Sequence, residues 1–172
     1  MKNLSLLLLL FAFINVASAQ QVAINKFFDK YADNTDFTQV NISPKMFELF
    51  AQMDSDTEMD SETLEMVKSL KGLKILTTDK NTRAIYKEFT STVGMDSYEE
   101  LMTIRDGDSD VKFLVKDSEG SNIVNELLLL VGGDNNFVLM SFNGKIRLDK
   151  IGELAKNMNI SGSEHLENLD KK

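Results

Sequence analysis

The sequence predicts an α+β fold in which N-terminal helices pack on one face of a largely antiparallel sheet. Apolar residues recur at helical spacing in much of the chain up to Gly94, whereas alternating or wholly apolar runs follow it. Helices that precede a run of strands are typical of α+β proteins. We therefore expect a C-terminal four-strand meander and a final helix, within a single domain over residues 20–160.

The first two predicted elements of this domain are a helix over residues 21–33 and a strand over residues 37–42. The apolar residues of the helix recur at i, i+3, i+4 and i+7 and so share one face: Ile24, Phe27, Phe28 and Tyr31. The turn-forming residues 33–36 end the helix. Alternating side chains then predict the short strand.

A second helix begins at Ser43 and carries the candidate interaction stripe of the chain. Ser43 can cap its N-terminus, and Pro44 has the backbone angle that suits the first helical position. The stripe consists of four apolar residues: Met46, Phe47, Phe50 and Met53. Such a flexible, Met-rich face either belongs to the core or forms a groove for a partner helix or a lipid.

Two further helices flank a predicted strand over residues 73–78. The helix before this strand covers residues 61–70, and the helix after it carries Ile85, Tyr86, Phe89 and Val93. The residues expected to cap or end these two helices are Asp60 or Ser61, Gly72, Asp79 or Asn81, and Gly94.

Four strands are predicted in the C-terminal half, over residues 100–105, 111–116, 123–131 and 137–142. The third contains the apolar run Leu127–Val131, which indicates a central strand covered on both sides. Gly- and Asp-rich connections favour hairpin turns between the strands. After Asn143-Gly144 we expect the final helix, and then a polar tail over residues 161–172. The helix carries Ile151, Leu154, Ala155 and Met158.

The N-terminus has the parts of a secretory signal peptide, expected over residues 1–19. Lys2 supplies a positive charge, and residues 6–14 form an unbroken apolar run that is shorter than the roughly 20 residues needed to span a bilayer. Ala17 and Ala19 are the small residues of the expected cleavage site, and Gln20 follows it. The sequence therefore predicts an exported protein, periplasmic or secreted and soluble, with no transmembrane segment after signal removal.

The composition excludes several classes of function. The chain has no Cys, which excludes disulfides, thiolate metal sites and a cysteine-borne lipid anchor. Its single His, His165, lies in the polar tail, where no positioned neighbour is expected to make it a general base. A net charge of −8 disfavours nucleic acid as a partner. No set of residues predicts a catalytic centre, a cofactor site or a metal site.

Two acidic segments, residues 54–62 and 106–110, carry a carboxylate at every second position. A calcium loop draws its oxygen ligands from alternating positions, but it needs Gly at its sixth position. Counted from Asp54 and from Asp106, the sixth positions are Met59 and Val111 instead. We therefore interpret them as a solvated loop and a hairpin turn.

Four short motifs occur in a recognisable order: Phe27–Tyr31, Val40–Pro44, Leu70–Leu76 and Phe142–Ile146. Together they resemble domain-of-unknown-function family 4252, whose members are exported proteins of Gram-negative bacteria. The resemblance implies an envelope protein with no assigned activity, so it supplies no catalytic residues. Some relatives carry a Cys for lipidation, which this chain lacks.

The signal, the missing catalytic residues and the resemblance lead us to expect a non-enzymatic envelope protein that binds another protein or a peptide. The alternative hypothesis is a carrier of an apolar ligand held between the Met/Phe stripe and the sheet. A third hypothesis is a carboxylate-based hydrolase, which would need two acids converging in a cleft.

Overall fold

The computed structural model describes residues 16–53, 60–107, 109–116 and 122–151. In these ranges the chain forms four α-helices, six β-strands and two short 3₁₀ turns. The helices are α1 (Val16–Lys30), α2 (Pro44–Met53), α3 (Ser61–Ser69) and α4 (Thr82–Val93). The strands are β1 (Thr38–Ile42), β2 (Leu70–Thr78), β3 (Glu99–Asp106), β4 (Ser109–Lys116), β5 (Ile123–Gly132) and β6 (Phe137–Arg147). The 3₁₀ turns are Met95–Ser97 and Leu148–Lys150.

All six strands form one antiparallel sheet in the order β1-β2-β6-β5-β4-β3. The strands β3 to β6 follow one another in space as they do in sequence, which confirms the predicted meander. The strand β2 pairs with β6, so the N-terminal strands extend the sheet from the end of the meander. The sheet and its four helices confirm the α+β class.

The helices cover both faces of the sheet, whereas the sequence predicts helices on one face. On one face, α2 and α3 pack with the side chains of Leu127 and Leu129 in β5. On the other, α1 and α4 pack with Leu128 and Leu130 of the same strand. These four leucines are at most 8% exposed because neighbouring residues of a strand point to opposite faces and both faces are covered. The central position predicted for this strand is confirmed.

The face under α1 and α4 has an aromatic core. The rings of Phe27 and Phe89 meet edge to face with centroids 5.1 Å apart, and Phe27 also lies 6.3 Å from Phe137. Tyr31 stacks on Phe37 at 4.3 Å, which joins α1 to the segment before β1. Aromatic pairs of this kind add to the stability that area burial supplies. This cluster holds α1 and α4 to each other and to the sheet.

The predicted helix ends are confirmed in part. Asp60 caps α3, since its Oδ1 accepts a hydrogen bond from the backbone N–H of Thr63 at 2.7 Å. Asn81 is the cap residue of α4, with φ of 49° and no hydrogen bond from its side chain to the helix, and Gly94 ends α4 with φ of 67°. Gly72 does not end α3, because β2 begins directly at Leu70 and Gly72 lies at a bulge within it.

The last strand is longer than the sequence predicts. Asn143 and Gly144 lie inside β6, which continues to Arg147. At Gly144, φ is 136° and an added Cβ would lie 2.6 Å from the carbonyl oxygen of Ser69, so only glycine fits this close approach to the end of α3. Ile151 is buried against the α2 and α3 face. The rest of the predicted final helix and the polar tail lie outside the described residues.

Candidate functional site

The predicted interaction stripe on α2 is divided between the core and the surface. Phe47 is 1% exposed and packs with Ala51 in the core beneath the helix. Met46 and Phe50 point outward and are 46% and 42% exposed. The backbone of Met53 belongs to α2, but its side chain lies outside the described part of the chain. The stripe therefore divides into a buried part, Phe47, and an exposed part, Met46 and Phe50. Only the exposed part is accessible to a partner.

Two apolar residues outside the predicted stripe extend the accessible face. Leu49 is 42% exposed and lies one helical turn from Met46 and beside Phe50. Val40 in β1 is 39% exposed, and by strand alternation it points to the same sheet face as Ile42, which packs on the core under α2. We call Val40, Met46, Leu49 and Phe50 the α2–β1 surface. An ion pair between Lys45 and Glu48, at 2.7 Å, lies on the same helix.

The strand β1 forms one edge of the sheet, and no other described strand pairs with its outer side. It carries no charged residue, and its pairing with β2 runs from Thr38 to Ile42 without a bulge. The opposite edge, β3, carries Glu99, Arg105 and other charges and has a bulge between Glu100 and Met102. Charges and bulges are the features that keep an edge from pairing with another chain. Of the two edges, β1 is the one suited to accept a further strand.

A hollow of about 280 Å³ lies near the N-terminal end of α4, where β3, β4 and β5 meet the helix. We call it the arginine pocket, because two of the three arginines in the sequence, Arg83 and Arg105, line it. Each is paired with an acid: Arg105 Nε donates to Asp110 Oδ1 at 2.7 Å, and Arg83 Nε donates to Asp134 Oδ1. The remaining lining residues are Tyr86, Gly107, Gly132 and Gly133.

Tyr86 lies directly against the backbone of Gly132 in this pocket. An added Cβ at Gly132 would lie 2.0 Å from Cδ2 of the tyrosine ring, so the contact requires glycine. Burial raises the pKa of Tyr86, and Lys112 and Asp110 act on it with opposite signs. The adjoining turn is tied to α4, since Thr82 Oγ1 donates to the carbonyl oxygen of Gly133 at 2.5 Å. The pocket wall is thus built from backbone held in place by α4.

A buried polar network lies on the α1 and α4 face. Tyr98 Oη donates to Glu126 Oε2 at 3.0 Å, and Ser141 Oγ donates to Glu126 Oε1 at 3.3 Å. Glu126 is 3% exposed and lies opposite the buried Lys116 in the strand register. A buried carboxylate needs such donors to offset its lost hydration. Because Ser141 is 0% exposed, we interpret the network as structural and inaccessible to a substrate.

The acidic segments differ in how far the structure describes them. Residues 54–59 and Asp108 lie outside the described part, whereas Gly107, with φ of 57°, forms the turn between β3 and β4 as predicted. Asp60 accepts a hydrogen bond from Lys150, which together with the Thr63 N–H holds the pKa of Asp60 at about 2. Within the described ranges, no group of three or more His, Asp or Glu residues could hold a metal ion.

The predicted cleavage residues Ala17, Ala19 and Gln20 lie in the backbone of α1, which begins at Val16. Cleavage after Ala19 would leave Gln20–Lys30 of the helix, including the core residues Ile24, Phe27 and Phe28. Among the helices that the structure describes, none has the length and apolar content to cross a membrane.

Comparison with known proteins places the chain in a family. The model of the family described as "Domain of unknown function (DUF4252)" matches residues 31–154. The chain belongs to this family. The resemblance predicted from the four motifs is therefore confirmed, and the matched region includes all six strands. No curated protein and no solved structure matches the chain. The family description names no activity.

The sequence predicts Met46 and Phe50 as interaction residues but misses Leu49, Val40 and the arginine pocket. Leu49 could have been found, because Met46, Leu49 and Phe50 are also spaced i, i+3, i+4. The pocket could not, since its lining residues come from three separate parts of the chain, namely α4, the β3–β4 hairpin and the end of β5.

Proposed function

We propose that this chain is an exported, non-enzymatic protein that binds another envelope protein or a peptide through the α2–β1 surface. The observation that carries the proposal is the location of exposed apolar side chains. Five large hydrophobic residues are exposed in the described part of the chain, and four of them belong to α2 or to β1, the strand that leads directly into it. The fifth, Ile123, lies on β5. Clustered apolar exposure is typical of a protein-docking site, whereas isolated residues are ordinary.

The edge strand β1 supports a specific mode of docking. An extended segment of the partner can pair with the outer edge of β1, which no other described strand covers, by main-chain hydrogen bonds, as in strand addition. Side chains at alternate positions of that segment would then point to the α2 face of the sheet. There they would meet Val40 and the outward side chains of α2. The partner segment is therefore extended, with apolar residues at every second position.

Export is part of the proposal and rests on the signal-like N-terminus. Processing after Ala19 retains the α1 residues that pack in the aromatic core, so the mature chain keeps its fold. Neither Val40 nor any residue of α2 lies in the removed segment. The docking surface is therefore the same before and after processing.

The packing of α2 supports docking over the carrier hypothesis. A carrier would hold its apolar ligand between the helix and the sheet, but Phe47 already fills that position and is 1% exposed. The carboxylate-hydrolase hypothesis gains no support from Asp60 or Glu126. Asp60 caps α3, and Glu126 is buried among hydroxyl donors.

The test is affinity capture from envelope extracts with the mature wild-type protein, a triple variant and a control. The triple variant replaces Met46, Leu49 and Phe50 by Ser, and Ile123→Ser is the matched control because Ile123 is equally exposed but lies elsewhere. The wild type and the control should retain the same partner, and the triple variant should lose it by at least ~10-fold, since apolar anchors dominate docking energy.

A second variant tests the contribution of β1. Val40→Lys places a charge on the edge strand, which should prevent strand addition without disturbing the core. Equal capture by the wild type and the triple variant would contradict the proposed surface, and so would loss of the partner in Ile123→Ser. Export is tested separately by the N-terminal sequence of the protein recovered from the envelope, which should begin at Gln20.

A further inference from the structure

The edge strand β1 can pair with a second copy of itself along its whole length. Antiparallel pairing centred on Val40 places Val40 opposite Val40, Thr38 opposite Ile42, and Gln39 opposite Asn41. Since the strand contains no charged residue, no like charges meet in this register. Each contact between the two copies occurs twice, as a two-fold axis requires.

The cross-strand pairs in this register match in size and polarity. On the face that carries α2, the two Val40 side chains meet, and β-branched pairs of this kind stabilise sheets. By strand alternation, Gln39 and Asn41 point to the other face. Their amide groups can donate and accept hydrogen bonds across the two strands. Both faces of the edge are therefore compatible with a second copy.

Opposite charges lie at the two ends of the β1 edge. Asp36 is exposed and lies at the Thr38 end, where its carbonyl oxygen accepts a hydrogen bond from Thr78 Oγ1 at 2.7 Å. Lys71 is exposed and lies at the Ile42 end. It is next to Gly72, at which an added Cβ would lie 3.6 Å from the carbonyl oxygen of Ile42. One end of the edge is thus acidic and the other basic.

The two-fold pairing brings the acidic end of one copy to the basic end of the other. Continuing the register centred on Val40, Asp36 of one copy is level with Pro44 of the second. Lys71 of the second copy is at the same level, one strand further in, because Ile42 pairs with Leu73. The Cα atoms of Asp36 and Lys71 are then about two strand spacings apart, ~10 Å, which their side chains can span.

The same arrangement places the two α2 helices on one side of the joined sheet, because an axis perpendicular to the sheet keeps the faces in common. Helix α2 packs on β2 and on α3, whereas α3 packs on β6, so α2 is the helix nearer to the β1 edge. The α2 helices of the two copies are then neighbours across the axis. Their exposed side chains can cover one another: Met46, Leu49 and Phe50.

We infer that the α2–β1 surface binds a second copy of this chain, and that the two sheets join edge to edge through β1. The inference rests on the proposed function, since it names the partner of the same surface. Any extended apolar segment could pair with β1, but a second copy also supplies the opposite charge at each end. The dimer has one continuous sheet with six strands from each copy.

The experiment is sedimentation velocity of the mature protein and of variants with a reversed charge. The wild type should sediment as a dimer and dissociate on dilution. Lys71→Glu turns both contacts between the ends into like-charge contacts and should raise the dissociation constant by at least ~10-fold. Asp36→Lys should do the same from the other end. Lys87→Glu is the control, because it reverses an exposed lysine of α4, on the other face of the sheet, and should change nothing.

An equimolar mixture of the two charge variants tests the antiparallel arrangement. In a mixed dimer each end again joins one acid and one lysine. The Lys71→Glu site meets the Asp36→Lys site at one end, and unaltered Lys71 meets unaltered Asp36 at the other. The mixture should therefore dimerise about as well as the wild type, although each variant alone dimerises poorly. Val40→Lys should abolish the dimer, because two ammonium groups would meet at the axis.

Three results would overturn the inference. They are a wild type that is monomeric at ~100 μM, Val40→Lys that dimerises like the wild type, and a mixture that is no more dimeric than each charge variant alone. Failure of the proposed function is recognised separately, by capture from envelope extracts. A monomeric chain that still captures a protein through the α2–β1 surface overturns this inference alone. A monomeric chain whose capture does not depend on this surface overturns both.

Discussion

Two helices of similar length, α2 and α4, use their apolar residues in different ways. The helix α4 buries Ile85, Phe89 and Val93 against the sheet and against α1. The helix α2 buries Phe47 and Ala51 but leaves three large apolar side chains exposed. Both helices have apolar residues at helical spacing, yet only α4 buries its large apolar side chains in the core.

This difference distinguishes apolar side chains that stabilise the fold from apolar side chains that are available to a partner. The large apolar residues of α4 are accounted for by folding, because Ile85, Phe89 and Val93 are buried in the core and Tyr86 packs against it. The outward residues of α2 are not, since they stay largely exposed among the described residues. Exposed apolar area of this kind is kept where a partner covers it. The comparison therefore assigns stability to α4 and is the basis on which we propose binding for α2.

The largest expected effect is the destabilisation caused by Phe89→Ala in α4. Phe89 is 0% exposed and contacts Phe27 edge to face, so its loss leaves a cavity and should lower the free energy of unfolding by about 3–5 kcal/mol. Phe50→Ala in α2 should change it by no more than about 0.5 kcal/mol. Urea unfolding followed by circular dichroism measures both. Similar losses in the two variants would remove the distinction between the helices.

A second prediction tests the packing of α4 against the sheet. Gly132→Ala places a methyl group within the ring of Tyr86 and should lower the free energy of unfolding by about 1–3 kcal/mol, as overpacking does. Removing the ring in the double variant Gly132→Ala/Tyr86→Ser should relieve the clash. The losses of unfolding free energy in the two single variants should therefore not add. A Gly132→Ala variant that unfolds at the same urea concentration as the wild type would contradict this packing.

A third prediction concerns the link between α4 and α1. Tyr31 Oη donates to Glu88 Oε2 at 2.9 Å, and Lys30 pairs with the same carboxylate and lowers the pKa of Glu88. Tyr31→Phe should lower the free energy of unfolding by about 0.5–1.5 kcal/mol through the lost hydrogen bond. Tyr86→Phe is the control, because its hydroxyl makes no hydrogen bond with the described residues. Equal effects in both would show that the Tyr31 bond contributes nothing.

The smallest effect is expected on the face shared by α2 and α3. The Lys150 ammonium and the Thr63 N–H lower the pKa of Asp60 from 3.8 to about 2, so the charged form stabilises the folded state above pH 4. That contribution is lost as the pH falls through the range from about 4 to 2. Asp60 is exposed, so the effect is small. Asp60→Asn should therefore lower Tm slightly at pH 7 and hardly at all near pH 2. A difference that persists at low pH would contradict this origin.

Much of the fold could be predicted because strands and turns are encoded locally. Alternation and Gly-Asp turns predict the β3–β6 meander, and Asp60 and Gly94 are recognised as helix ends. The choice of sheet face could not be predicted from helix periodicity, because a helix with one apolar face packs equally well on either side. The apolar run at Leu127–Leu130 does require cover on both faces, and only helices on both sides supply it.

The candidate site was predictable in a more limited way. Helical spacing identifies α2 as apolar over a wide arc, but it does not reveal which residues the sheet covers. Phe47 and Ala51, four residues apart, face the sheet, and this leaves Met46, Leu49 and Phe50 outside. Val40 joins them only through the turn from β1 into α2. The arginine pocket depends on tertiary contacts throughout.

The most direct test of the docking surface is site-specific photo-crosslinking in living cells. A photo-reactive amino acid at Leu49 should form a defined cross-link to one partner, because this exposed position belongs to the α2–β1 surface. The same amino acid at Ile123, which is equally exposed, should form none. Equal cross-linking at both positions, or none at Leu49, would contradict the assignment of α2 to partner binding.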